Sequence, residues 1–232
     1  MTETTERTTP STLTPTQRVI ARRMTESHTV PSFTVSRDLD VTRLLRERAA
    51  ARTAGGRAPS LNDVLVAAVG RALRAHPRVN GSFDPRGFVI NTEVHVGVAV
   101  ASEGKLLVPV VRHADRLSPS EIGNESSRLA EAVRGGTITG SDLKGATFTI
   151  SNLGMMGVDH FTAMINVPQA AILAVGRARP VASFENGTLS AQSAMSLTLT
   201  ADHRIVYGAD AAAFLASVAE EVDGIDLCED SA

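Results

Sequence analysis

One cysteine, no tryptophan, one tyrosine and 3% aromatic residues mark this 232-residue chain by what it lacks. A single thiol, Cys228, closes no intrachain disulfide, and no Cys/His cluster shows zinc spacing, so neither a disulfide framework nor a metal centre is expected. No apolar run reaches the roughly eighteen residues of a membrane span, and Met1 to Pro10 is polar, without the apolar region of a secretory leader. Neither charge dominates. The 23 basic residues are dispersed among 25 acidic ones for a net charge of −2, which leaves no electrostatic footprint for nucleic acid or an anionic membrane. A cytoplasmic protein with a small-molecule or protein partner is expected.

What is present is apolar and periodic. With 43% hydrophobic and 21% charged residues, the chain can bury one substantial core. Residues 1–14 read as a disordered polar leader. Val19, Ile20 and Met24 among arginines predict a short amphipathic helix ended by Val30-Pro31. Phe33 to Val41 alternates as a half-buried strand, and Asp40 or Thr42 can cap a helix from Arg43 to Ala54, stopped by Gly55-Gly56. Ser60-Leu61-Asn62-Asp63 opens a strongly apolar core helix that His76-Pro77 closes. Short β-type runs follow at 88–90, 94–100 and 106–111, a helix at 124–134, strands at 146–150, 170–175 and 195–200, and a final helix at 209–222. Residues 223–232 form an acidic tail, read as solvated. Helices and strands interleave without a strict βαβ rhythm, so the expected α/β fold is a mixed sheet covered by helices.

The chemistry-bearing block is Ala201-Asp202-His203-Arg204-Ile205-Val206-Tyr207-Gly208. Its imidazole, the side chain best poised for proton transfer near neutral pH, stands between a β-type run and a Gly-Ala-rich helix. On spacing alone a lone histidine at a strand end is more often a surface or structural residue. His28, His76, His95, His113 and His160 read as surface or packing residues.

Several motifs in order change the weight of that block. They are Arg18-Val19-Ile20-Ala21-Arg22-Arg23-Met24, Asp40-Val41-Thr42, His76-Pro77-Arg78-Val79-Asn80, Gly97-Val98-Ala99-Val100 and Leu107-Val108-Pro109-Val110-Val111-Arg112. Thr147-Phe148-Thr149-Ile150-Ser151-Asn152-Leu153-Gly154, Ile172-Leu173-Ala174-Val175-Gly176 and Asp202-His203-Arg204 complete the series. Over residues 15–222 the chain resembles the catalytic domain of dihydrolipoamide acyltransferases, the E2 components of 2-oxoacid dehydrogenase complexes, which share a superfamily with chloramphenicol acetyltransferase. The resemblance implies a chloramphenicol acetyltransferase-like two-layer sandwich and a homotrimer with active sites between subunits. It implies acetyl-CoA or another acyl thioester as co-substrate, with no bound cofactor. His203 matches the family's general base and Ser151 its oxyanion donor, while Arg18, Asn152 and Gly176 are expected at the CoA.

Three departures bear on function. Tyr207 stands where the family pattern has Asp or sometimes Asn, making it a modulating position. About fifteen polar residues precede the domain, with no lipoyl-lysine segment. After it, Ile225 and Leu227 alternate with acids, a poor knob for joining trimers, so a free trimer is expected. The reading that follows is a stand-alone CoA-dependent acyltransferase acetylating a small hydroxyl-bearing acceptor, such as a tetronate-type natural-product intermediate. The alternatives are a dihydrolipoamide acyltransferase core served by a lipoyl domain in trans, and an inactive trimeric scaffold.

Overall fold

The computed structural model describes residues 12–53, 58–102, 105–185 and 187–227, so residues 1–11, Ala54 to Gly56 and Cys228 lie outside the described residues. In chain order come α1 (Pro15–His28), β1 (Ser32–Asp40), α2 (Thr42–Thr53) and α3 (Leu61–Ala75). Six short strands follow: β2 (Gly81–Asp84), β3 (Gly87–Ile90), β4 (Val96–Val98), β5 (Val100–Ser102), β6 (Lys105–Leu107) and β7 (Val110–Val111). Then come α4 (Pro119–Arg134), β8 (Phe148–Asn152), a 3-10 turn (Gly154–Met156), β9 (Ala171–Glu185), β10 (Thr188–Asp202) and α5 (Gly208–Gly224).

Six strands form a mixed sheet in the order β1-β10-β9-β8-β4-β7. β8 runs parallel to both β4 and β9, and the other pairs are antiparallel. Because side chains alternate along a strand, Leu197, Leu199 and Ala201 of β10 share one face while Thr198, Thr200 and Asp202 share the other. Opposite Leu199 lie Val35 of β1 and Leu173 of β9, which extends the apolar face across three strands. Onto it pack α3 and α5: Val64, Leu65, Val69 and Leu73 are buried, as are Phe214, Leu215 and Val218, and Phe148 meets Phe214 with ring centroids 5.6 Å apart. The result is the expected sheet-and-helix sandwich.

Helix starts are local chemistry. Thr14, Ser60 and Ser118 each accept the N–H of the third helical residue, and Gln17, Asp63 and Glu121 return the bond to the cap's own N–H. The third of these boxes moves the start of α4 to Pro119 from the expected 124, since its first turn is polar and invisible to an apolar-periodicity reading. Asp40 caps α2 by accepting the N–H of Thr42 at 2.8 Å.

β9 and β10 run 15 residues each, well past the expected 170–175 and 195–200. Pairing with β1 stops at Ala194, so the outer half of the hairpin is a two-stranded arm. Phe184 and Leu189 face each other there, 73% and 70% exposed. The arm lies outside the core, so burial-driven alternation does not predict its strands. The tail also differs from the solvated expectation: Ile225 and Leu227 are buried, and Arg43 donates to the carbonyls of Val222, Asp223 and Ile225 at 3.0, 2.9 and 3.0 Å. The guanidinium bonds the Asp223 and Ile225 carbonyls and shares that of Val222 with the Ile225 N–H. Among the described residues no helix is long and apolar enough to cross a membrane.

Candidate active site

Ser151 sits half-buried near the carboxyl end of β8, beside the end of β4, where open α/β sheets commonly leave a crevice. A cleft of about 760 Å³ opens there between the strand ends, the first turn of α3 and one side of α4. Asn152 spans its floor, its Nδ2 donating to Asn62 Oδ1 at 3.2 Å while its Oδ1 accepts the Gly154 N–H at 2.8 Å. Met155 and Met156, both highly exposed, stand at the mouth on the 3-10 turn.

Three guanidinium groups reach the same cleft, Arg48 and Arg52 from α2 and Arg134 from the last turn of α4. Burial, and next the Arg52 cation, holds Arg48 below the ordinary guanidinium value. The Asp63 and Glu131 carboxylates share the lining and offset two of the three cations, which leaves an excess of positive charge beside a helix N-terminus, and phosphate suits guanidinium forks best. This cluster went unread in the sequence. Arg48 and Arg52 are four apart on one helix, but only the fold brings Arg134 to them.

His203 occupies the other end of the sheet, in the turn that leaves β10. Its N–H donates to Pro31 O at 2.9 Å, and the N–H groups of Ile205 and Val206 close on Asp202 O at 3.1 and 2.9 Å. Ile205 and Val206 are buried. Asp202, also buried, holds Arg204 through Nε and Nη2 at 2.9 and 2.7 Å, and the Arg204 guanidinium lies 4.3 Å from the Phe83 ring centroid. Pinned on both sides, the turn leaves the imidazole exposed between Phe33 and Tyr207.

One chain does not bring Ser151 and His203 together. The register sets Ser151 level with Ala174 and Thr198, two strands across from β10 and five residues short of His203. At about 3.3 Å per residue and about 4.8 Å per strand, the two backbones stand on the order of 15–20 Å apart. Their side chains cannot bridge that gap.

The family model for the 2-oxoacid dehydrogenases acyltransferase catalytic domain matches residues 5–228. The chain belongs to this acyltransferase family. A relative from Rickettsia bellii, the dihydrolipoyllysine-residue acetyltransferase component of its pyruvate dehydrogenase complex, is 37% identical over 206 residues, covering 87% of this chain and 49% of the relative. The chain thus spans about half the length of the curated relatives it matches. Among solved structures, a probable dihydrolipoamide acetyltransferase from Listeria monocytogenes superposes with a TM-score of 0.89 at 28% identity, covering 94% of this chain and 96% of that one. The Azotobacter vinelandii dihydrolipoamide acetyltransferase, studied for the catalytic roles of a serine, a histidine and an asparagine, gives 0.85 at 29% identity, with 93% and 91% covered. Chloramphenicol acetyltransferase shares the fold at 14% identity and a TM-score of 0.56, with 87% and 94% covered.

Of the acyltransferase site residues expected from sequence, Ser151 and Asn152 share the cleft, and His203 and Tyr207 share the opposite turn. Arg18 lies exposed on α1 and does not line the cleft. Gly176 is buried and off the cleft wall as well. A Cβ there would overlap the Asp159 carbonyl oxygen, so the missing side chain serves a close backbone approach.

The spacing argument against a metal centre also missed a cluster. Pairing of β4 with β7 brings Glu93, His95 and His113 together, with ligand atoms within 4.8 Å of one another. His95 Nδ1 accepts the His113 N–H at 3.1 Å, which places the His95 proton on Nε2, 3.2 Å from Glu93 Oε2. While that bond stands, the imidazole offers a cation no lone pair on the Glu93 side.

Proposed function

We propose that this domain is the acyl-transfer core of an E2-type enzyme, moving an acyl group between CoA and a dihydrolipoyl thiol, with each site shared by two copies in a homotrimer. The observation that carries this reading is a matched spacing. In the Azotobacter enzyme the serine and histidine studied are 52 positions apart and the asparagine follows the histidine by four. Ser151 and His203 keep the interval of 52, and Tyr207 holds the place four beyond. The separation of Ser151 from His203 within one chain supports a site completed by a second copy.

In this mechanism the CoA phosphates lie among Arg48, Arg52 and Arg134, with the thiol end toward Ser151. His203 of a neighbouring copy takes the proton of the attacking thiol as its sulfur adds to the thioester carbonyl. The Ser151 hydroxyl donates to the oxyanion of the tetrahedral intermediate. Collapse expels the other sulfur as thiolate, which recovers the proton from the imidazolium. Run in reverse, the same steps load CoA from the lipoyl arm. No covalent enzyme intermediate forms, so the gain comes from proton transfer, oxyanion stabilisation and the fixed placement of two substrates.

A hydroxyl acceptor is a second reading, favoured by one observation: Tyr207 replaces a polar amide with a phenol ring beside the imidazole. His203 can serve an alcohol as it serves a thiol. The deciding experiment incubates the protein with acetyl-CoA and either dihydrolipoamide, a lipoylated domain or a panel of small alcohols, and follows released CoA thiol. Transfer to the dithiol supports the E2 reading and transfer to an alcohol supports the second. Neither, in a folded protein, leaves a noncatalytic assembly role.

A further inference from the structure

We propose that the His203 imidazole is oriented by ring contacts, and that Phe33, Tyr207 and Arg78 are its positioning residues. This rests on the reading of His203 as the base. Two aromatic rings of its own chain flank the imidazole. Phe33 lies 4.5 Å from the imidazole centroid at an interplanar angle of 43°, and Tyr207 lies 5.9 Å away at 49°. Both fall in the range of tilted aromatic pairs.

The two rings are themselves held. Phe33 is fixed by β1, in register with Ala201 of β10, and packs against the core. Tyr207 caps α5, its N–H donating to Asp210 Oδ2 at 3.0 Å. The same Asp210 oxygen accepts from Arg78 Nη1 at 3.2 Å, and the Arg78 guanidinium carbon lies 5.2 Å from the Tyr207 ring centroid. One carboxylate thus ties the backbone of Tyr207 to the cation lying against its ring. A short polar side chain at position 207 would offer Arg78 no ring face, and would leave Phe33 as the imidazole's one aromatic neighbour.

Ring currents give a readout independent of turnover. In the intact protein with labelled histidine, the His203 Hδ2 and Hε1 resonances, assigned by their loss in His203→Gln, are expected upfield of those of exposed histidines. Phe33→Leu and Tyr207→Leu should each move them downfield and lower kcat about tenfold, with the KM for acetyl-CoA unchanged. Tyr207→Phe keeps the ring and should keep the shift, and Arg78→Met should reduce the shift partway. Unshifted His203 resonances in the parent, or a shift lost in Tyr207→Leu with kcat unaltered, overturn the proposal. A parent that shows the shift, loses it in both leucine variants and transfers to no acceptor supports the orientation and instead removes His203 as the base.

Discussion

The two ends of the sheet are built in opposite ways. At the Ser151 end, parallel strands finish against helix starts and leave a concave cleft with three guanidinium groups on its wall. At the His203 end, an antiparallel strand turns tightly and presents an imidazole outward, pinned by Asp202, Arg204 and Pro31. One end holds a cleft of about 760 Å³ without a histidine in its lining. The other presents an imidazole next to a hollow of about 310 Å³ lined by Asp202 and Arg204. Under the proposed function each end supplies half of a site, and a second copy brings the two halves together.

The sharpest way to test that division is to remove one group at each end. His203→Ala should lower kcat by about 10²–10⁴-fold, and Ser151→Ala by about 10²–10³-fold, each with the KM for CoA little changed in steady-state assays. Equal, small effects of both would break the assignment of roles. Dissociating the two inactive variants, mixing and reassembling them should then restore a sizeable fraction of parental activity, because some mixed sites pair an intact Ser151 with an intact His203. No recovery in a verified mixed oligomer would mean that the two ends do not meet.

Arg48→Ala and Arg52→Ala sharpen the cleft side, with an expected rise of about tenfold in the KM for CoA and kcat nearly preserved. Gly176→Ala tests the packing behind that cleft. Its Cβ meets backbone that cannot move aside cheaply, so a loss of about 1–3 kcal/mol is expected from urea unfolding.

The smallest effect belongs to the His203 side. Burial holds the His76 pKa below its ordinary value of 6.5, partly opposed by Asp210, and His76 Nε2 lies 2.9 Å from Ser217 Oγ. A lowered folded pKa means that the unfolded chain takes up the proton first. Its contribution to stability is therefore full above about pH 6.5 and declines as pH falls through that value toward the folded pKa. Urea midpoints at pH 7.5 and 5.5 should differ in the parent, and this slope should shrink in His76→Gln.

Much of the fold was legible because its signals are local. The cap at Ser60 and the buried positions of α3 lie within one helical stretch, and the alternation of β1 comes from one buried face. The outer hairpin arm was not legible from periodicity, since cross-strand pairing and not burial holds it. Asn186-Gly187 between Phe184 and Leu189 was the turn signal available to find it, and Gly187 has a φ of +80°. Of the site, His203 and Ser151 stood out through motif order. Arg134 and Phe33 did not, and Arg78 stood in a motif without a role, because each acquires its role from a neighbour far away in the chain.

Sequence by itself determined which elements form and which functional groups the chain owns: an imidazole after a strand, a hydroxyl at a strand end, a tyrosine four places beyond the imidazole. Only the tertiary structure decided that the hydroxyl overlooks a cation-lined cleft, that Gly176 serves packing, and that the imidazole stands between two rings at the opposite end of the sheet. The physical reason is range. Caps and alternation act over a few residues, whereas register and cavity walls are fixed by pairings between segments that periodicity does not link.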